Sequence, residues 1–426
     1  MKILAVIKPF RGITYNRKLI KDPGSTITPP YDVIDPEEQE RLHRENPYNI
    51  IRLEYGKTYP EDNEAENRYT RAAATLQQWQ QNKILLLEQE QKFYFHEHSF
   101  QWRGKTMARF GLMAALKLES YASGLVLPHE LTMAGPKADR YQLFQNTRAN
   151  FSPIFMLFPD SEQKMEAYRE IITAREPAFE ASDSSGHYHR LWPVHDPELI
   201  ANLTAYLAER PVLIADGHHR YETAYHYSCK TDLDRLPGAG FVLSTLVGTG
   251  DPGLLMLPAH RILHELDKRQ DKKLQQIIGD HFFFLDRGRP RELDRETFIA
   301  ELDQLAPKSG ATGCITHTRA GLLIPKRKPE TTDLPVTILH ENLFDPVMAT
   351  GNNKTQAKID YTHEASQAFD AVLDGTADMA FLIGPMPVDK ILERARKGLL
   401  MPQKSTYFYP KLPGGLVIYH MELSGI

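Results

Sequence analysis

The sequence predicts an α+β fold in two parts, an N-terminal α+β domain over residues 1–265 and a C-terminal α/β subdomain over residues 266–426. Three observations predict it. Lys92–Phe100 and Lys105–Leu118 are β-type runs joined at Arg103-Gly104, the pattern of an antiparallel hairpin. Pro211–Ala215 is a short apolar run that passes within a few residues into helix formers ending near Cys229, a strand-to-helix junction. From Gly313 onward strand and helix patterns alternate, following a stretch from Leu263 to about Asp303 in which charged residues accumulate and a boundary is expected. Neither a Rossmann dinucleotide-binding fingerprint nor an internal repeat with a period of 20 to 50 residues is read from the sequence.

The elements follow in order. Met1–Phe10 contains an apolar stretch too short for a signal peptide and reads as a first strand. Ser25–Ile34, with its paired prolines Pro29-Pro30, is an extended loop. Asp35 caps a helix that opens with Pro36 and two glutamates and runs to about Glu45, where Asn46-Pro47-Tyr48 stops it. Asn49–Glu54 alternates, which predicts a strand with Ile50, Arg52 and Glu54 on one face and Ile51 and Leu53 on the other. Glu64–Gln81 is a long helix.

In the hairpin, His96 and His98 share a strand face; they are either two metal ligands lacking a visible third or ordinary exposed positions. Helices are expected at Glu162–Arg175 and Pro197–Glu209, and a strand at His187–Val194, with His187 and His189 on one face. Phe241–Val247 and Leu254–Leu257 are apolar strands. The C-terminal part offers strands at Gly313–His317, Gly321–Pro325, Ala380–Ile383 and Gly415–Tyr419, with helices at Val336–Leu343, His363–Leu373 and Val388–Lys397.

Composition excludes several classes of function. With 41% hydrophobic and 25% charged residues the chain is that of a soluble globular protein. Its formal net charge of −4 gives no reason to expect nucleic acid, and basic runs such as Lys326-Arg327-Lys328 read as solvated faces. The two cysteines, Cys229 and Cys314, cannot form a Cys-x-x-Cys pair, which suits a reducing cytoplasm and argues against a thiolate zinc site. No run approaches the roughly 20 apolar residues of a membrane helix. A cytoplasmic protein without a membrane partner is expected.

Chemistry concentrates at Ala215–Tyr221. The first N–H groups of a helix lack intrahelical partners and carry partial positive charge, so an anion can sit there, and Gly217 lets the backbone approach it. Arg220 can add a fork of donors to that anion, and Asp216 can hold a metal or orient a histidine. The same residues also make an ordinary turn and helix cap, with His218 and His219 as polar surface. A second polar concentration covers Leu127–Thr132, Gly135–Arg140 and Asn146–Phe155, including Asn150 and Ser152. His129-Glu130 is followed by Met133 in place of a second histidine, which excludes the His-Glu-x-x-His zinc pattern. The pair can act as base and metal ligand or simply hydrogen-bond within its loop. His260-Arg261 is a second anion contact or a surface ion pair, and Lys404, Ser405 and Thr406 have the side chains of phosphate or metal ligands without the Gly-rich approach of a P-loop.

Four blocks, Pro29–Ile34, Asn46–Glu54, Ala215–Ala224 and Met401–Lys411, together resemble the family known as domain of unknown function 1015, over nearly the whole chain. That family is distantly similar to the ParB and sulfiredoxin superfamily, which implies a ParB/sulfiredoxin-like mixed sheet with helices. Gly217-His218-His219-Arg220 matches the superfamily's signature at a strand-to-helix turn, where nucleotide phosphates are cradled. The sequence departs from sulfiredoxin, because His218 stands where the catalytic cysteine would be, and from ParB, because no helix-turn-helix follows the motif.

The Asp-Gly-His-His-Arg form is most similar to the free-serine kinases. The resemblance thus implies a phosphotransferase that moves a phosphoryl group between ATP or ADP and a small hydroxyl metabolite, favouring free L-serine and O-phosphoserine, with Mg2+. It implies nucleotide binding by Asp216, Gly217, His218, His219 and Arg220, with Asp216 also the metal ligand. Glu54 is the candidate base and Glu130 its competitor. His129, also a candidate for the chemistry, joins His260 and Arg261 as contacts for a substrate carboxylate or phosphate, and Asn150, Ser152, Lys404, Ser405 and Thr406 are further substrate contacts. The alternative is a ParB-like nucleotide-binding switch without small-molecule chemistry. Partners are then a nucleotide and a small molecule, with a homodimer left open.

Overall fold

The computed structural model describes residues 5–130, 132, 134–208, 210–330, 332–349, 358–402 and 404–426. Residues 1–4 of the expected first strand, Leu131, Met133, Glu209 and Gln403 lie outside the described residues. Two compact units are formed: Met1–Pro128, Thr132–Leu254 and Pro410–Ile426 make one, His129–Leu131 and Leu255–Tyr409 the other. The sequence reading sets its division at 265/266 and keeps the last residues with the second part.

The first unit is built on a mixed sheet of nine strands: β1 (Ile7–Lys8), β2 (Phe93–Trp102), β3 (Lys105–Lys117), β4 (Val126–Leu127), β5 (Ile154–Phe158), β6 (Phe179–Ser182), β7 (Tyr188–Val194), β8 (Val212–Asp216) and β9 (Phe241–Gly248). Their order is β4-β8-β5-β9-β3-β2-β7-β6, with β1 also paired to β3. Only β4 with β8 and β5 with β9 run parallel. The hairpin of β2 and β3 turns at Arg103 and Gly104, whose φ values of 49° and 74° supply the two left-handed residues of a tight turn whose twist matches the strands. Phe95, Phe110, Leu112, Met156, Ile214, Tyr221 and Leu246 are buried in its core.

Helices α1 (Pro36–Glu45), α2 (Ile51–Glu54), α3 (Arg68–Gln81), α4 (Ala134–Thr147) and α5 (His218–Lys230) belong to this unit. Asp35 caps α1 by accepting the Glu38 N–H at 2.8 Å, and α3 begins at a capping box formed by Asn67 and Thr70 rather than at Glu64. α2 corrects the strand expected at Asn49–Glu54. The Asn49 side chain accepts the Ile51 N–H at 2.8 Å and donates to the Ser25 and Ile27 carbonyls at 2.8 and 3.2 Å, which starts a turn instead of an extended run. The Glu54 N–H then closes onto the Ile50 carbonyl at 2.9 Å. Alternation misleads here because both phases are buried: Ile50 and Leu53 join Leu76, Trp79 and Phe151, while Ile51 packs with Ile34 and Leu42.

Two further expectations are corrected. His96 and His98 are not exposed strand positions; they are 2% and 1% exposed. The last strand is not Gly415–Tyr419 but Tyr419–His420, with single bridges from Ile418 to Ile13 and from Gly414 to Thr28.

The second unit has six strands, β10 (His260–His264), β11 (Phe282–Gly288), β12 (Thr312–Thr316), β13 (Ala320–Pro325), β14 (Lys358–Thr362) and β15 (Met379–Ile383), in the order β11-β13-β12-β15-β10-β14. All of these ladders are antiparallel. The α/β character expected of this part is therefore replaced by an antiparallel sheet, on which Phe298 and Leu302 of α6 (Arg295–Ser309) and Phe369 and Val372 of α7 (Ala365–Leu373) pack. Leu255–Pro258 and Thr406–Tyr409 form a separate antiparallel ribbon. No helix among the described residues is long and apolar enough to cross a membrane.

Asp251, past the end of β9, makes a pH prediction. It accepts the Phe110 and Gly253 N–H groups at 3.0 and 2.8 Å, yet burial outweighs those bonds and pushes its pKa from 3.8 up to about 6. The folded state binds the Asp251 proton more tightly than the unfolded chain does. This contribution is therefore present at low pH and is lost as pH rises through about 6. Urea unfolding at several pH values is expected to show Asp251→Asn losing that fall in stability between pH 3.8 and about 6.

Candidate functional site

β8 and β5 pair regularly at Leu213–Leu157 and Ile214–Met156, after which Phe155 faces Asp216 and Ala215 is the extra residue. This bulge re-aims the end of the strand. Gly217 then takes φ 94°, the left-handed conformation that glycine adopts without strain, and becomes the N-cap of α5. A Cβ at Gly217 would lie 3.1 Å from both Arg220 Nη2 and Ile154 Cδ1. Backbone angle and packing both select glycine, which brings no capping side chain to the helix.

From this turn a chain of polar contacts runs inward. Asp216 Oδ2 accepts from Arg220 Nη2 at 2.8 Å, and Asp216 Oδ1 accepts from Lys411 Nζ. Arg220 Nη1 donates to Ser152 Oγ and the Pro153 carbonyl, each at 2.9 Å. Ser152 Oγ donates in turn to Glu54 Oε1 at 2.8 Å. Arg140 Nη1 lies 3.5 Å from that oxygen and 2.9 Å from the Glu54 carbonyl, while its Nε donates to Asp139 at 2.7 Å and its guanidinium stacks over Tyr31 at 4.0 Å. Glu54 is 4% exposed, and its Oε2 has no hydrogen-bond partner. A cavity of about 10 Å³, the size of one water, is bordered by Glu54, Arg140, Asn150, Ser152 and Arg220.

Charge is concentrated here. Asp32 is exposed at its edge, but its carboxyl is crowded enough that loss of hydration, and then the charge of Asp216, raise its pKa. Burial opposes the charge of Arg220, but Asp216, Asp32 and Glu54 outweigh it and raise the Arg220 pKa. His219, half-buried between Glu222 and Asp32, is pushed toward its neutral form by burial.

Of the residues nominated from sequence, Glu54, Asn150, Ser152, Asp216, Gly217, His218, His219 and Arg220 belong to the first unit. Glu54 sits at the end of a helical turn, not of a strand. Asn150 accepts the Leu243 N–H at 2.9 Å, and His218 is buried. His129, Glu130, His260, Arg261, Lys404, Ser405 and Thr406 belong to the second unit. There His129 Nε2 lies 2.8 Å from Thr406 Oγ1, and Glu130 Oε1 accepts the Ser405 and Thr406 N–H groups at 3.0 and 3.1 Å, so this pair holds the start of the 406–409 strand. His260 Nδ1 accepts the Ile383 N–H at 3.1 Å, and Lys404 Nζ lies 5.1 Å over the Tyr361 ring. Arg261 is fully buried, donates to the Ala259 carbonyl, and keeps Nε and Nη2 without partners; burial lowers its pKa to about 10. Sequence reasoning did not nominate Tyr31, Asp32, Arg140 or Lys411. Three of them lie inside blocks that carry the family resemblance, which is the signal that could have found them.

Fold and site together define a mixed α+β protein whose polar centre lies where a bulged strand turns into a helix. The chain belongs to the family described as Protein of unknown function (DUF1015), whose profile matches residues 7–360. No curated protein matches it. Among solved structures it is similar to a free serine kinase in complex with AMP, at 11% identity and TM-score 0.39, over 74% of this chain and 92% of that one. It is also similar to a conserved hypothetical protein from Pyrococcus furiosus, at 13% identity and TM-score 0.36, over 74% of this chain and 95% of the other. A third, SbnI from Staphylococcus aureus with a C-terminal truncation, has 11% identity and TM-score 0.34, over 70% of this chain and 84% of that one.

Proposed function

We propose that this protein is a Mg2+-dependent phosphotransferase moving a phosphoryl group between a nucleotide, ATP or ADP, and a small hydroxyl metabolite, with L-serine and O-phosphoserine as the favoured pair. One observation carries the reading: a buried carboxylate with an unpartnered oxygen, Glu54, is joined through Ser152 to Arg220 of the glycine-initiated helix turn. Phosphoryl transfer asks the protein for a base, positioned positive charge and a metal seat, and little covalent chemistry. In this reading Glu54 takes the proton of the acceptor hydroxyl. The hydroxyl oxygen bonds to phosphorus as the bond from phosphorus to the nucleotide's bridging oxygen breaks, and the shortened nucleotide leaves with that oxygen.

The backbone N–H groups opening α5 hold phosphate, and Arg220 braces Ser152 and Asp216 around it. Asp32 and Asp216 offer the hard oxygen donors that magnesium prefers; burial is the main cause of the raised Asp32 pKa, and the charge of Asp216 adds to it a repulsion that a cation there would relieve. When bound, magnesium would neutralise phosphate charge. A cavity of about 760 Å³ beside α4 and α5, walled by Tyr121, Tyr141, Tyr221 and Tyr225, has the size and aromatic lining for a nucleoside. Tyr121 and Tyr221 stack there at 5.7 Å.

The test is to incubate the protein with Mg2+, L-serine and either ATP or ADP, following O-phosphoserine by phosphorus NMR, and then to run the reverse reaction. O-phosphoserine formed in step with nucleotide consumption is expected. No turnover with any nucleotide overturns the reading, and tight nucleotide binding without turnover would favour a switch.

A further inference from the structure

Four histidines gather on one face of β2, β7 and the residue that leads into β7. In this antiparallel pair His189 faces His98 and Leu191 faces His96, so the two-residue period of each strand brings His96, His98, His187 and His189 together. The His98 ring lies 4.3 Å from that of His189 and 5.1 Å from that of His187, and the rings of His96 and His189 are 5.3 Å apart. The loop from β6 to β7 adds a carboxylate. Asp183 Oδ1 accepts the Ser185 and His187 N–H groups at 2.9 and 3.0 Å, which directs Oδ2 to His189 Nε2 at 3.1 Å and to His187 Nδ1 at 3.6 Å.

Ligand atoms of His98, Asp183 and His187 all lie within 4.8 Å of one another. Independently, His98 Nε2 is buried and has no hydrogen-bond partner. We propose that His98, His187 and Asp183 form a binding site for a transition-metal ion of the Zn2+ or Co2+ kind. Two imidazoles and one carboxylate suit such an ion and not Mg2+ or Ca2+, which take oxygen ligands. Asp183 and His187, with side chains 17% and 16% exposed, form the solvent side, where a fourth ligand or a water can enter.

The surrounding contacts match those of metal sites. His189 orients Asp183, and His96 Nε2 in turn lies 3.0 Å from His189 Nδ1, the supporting layer that fixes ligand geometry. Arg109 Nη2 is 3.3 Å from His98 Nδ1; a neutral His98 that binds the ion through Nε2 carries its one ring proton on Nδ1, so on loading the guanidinium turns away from that nitrogen.

The full-length chain, stripped with a chelator, is titrated with Co2+ under visible absorption and then with Zn2+ by calorimetry. One equivalent of Co2+ with d–d bands that Zn2+ displaces is expected, and Asp183→Asn with His187→Gln should weaken binding by at least about 100-fold. Circular dichroism checks that the double variant folds. Should it not fold, X-ray absorption of the zinc-loaded natural chain decides. Nitrogen ligands at about 2.0–2.1 Å support the site, and an all-oxygen shell overturns it. No stoichiometric binding, or equal binding by a folded double variant, also overturns it.

Discussion

A Glu54→Gln chain is expected to bind nucleotide within about threefold of the natural chain while kcat for serine phosphorylation falls by about 10²–10⁴, the usual contribution of a positioned base. The substitution is nearly isosteric. The amide oxygen can still accept from Ser152, so the contact between Glu54 and the Arg220 turn survives. What disappears is the acceptor at Oε2, the atom with no partner in the folded protein. Calorimetric titration with ADP and a phosphoserine assay on the same preparation separate the two effects. Unchanged turnover would remove Glu54 from the chemistry and bring Glu130 forward.

Arg140→Met is expected to cost about 3–5 kcal/mol of stability, because removing one partner strands a buried charge. Arg140 and Glu54 have side chains only 2% and 4% exposed. Methionine fills much of the volume but leaves the Glu54 carboxylate with only Ser152 and the charge of Arg220 behind it for support. Combining it with Glu54→Gln removes the stranded charge, so the double variant should recover most of the loss. Urea unfolding of the four chains measures this coupling directly. Strictly additive losses would show that Arg140 stabilises through Asp139 and Tyr31 instead.

The parts of the fold legible in the sequence are those whose causes are local. Asp35 before Pro36, the Arg103-Gly104 turn and Gly217 between an apolar run and a helix each reveal their role within a few residues. Asn49–Glu54 was misread because its apolar residues serve two small cores at once, so its periodicity has no single face to report. The alternation of elements in the second unit conveys their order and not the direction in which strands pair. Site partners are harder still. Ser152 meets Glu54 across 98 positions and Lys411 meets Asp216 across 195, separations at which no spacing rule operates. The histidines of β2 are read from sequence as metal ligands or as exposed positions, and their burial rests on pairing the strand pattern does not report: His96 meets His189 across 93 positions.

The ribbon of Leu255–Pro258 and Thr406–Tyr409 has a kinetic consequence. Leu255 pairs with Tyr409, so the two ends of the inserted unit are zipped side by side. Loop-closure entropy grows with the length of free chain between two contacts, and a zipped insertion shortens that length to a few residues. The late segment carrying Lys411 and Gly414 is therefore returned to the first unit, where Lys411 meets Asp216 and Gly414 bridges to Thr28, as if the long excursion before it were a hairpin. On a ribosome, which folds chains from the N-terminal side, the centre at Asp216 stays incomplete until the insertion has closed on itself. Early fragments of the chain thus lack the Lys411 contact to Asp216.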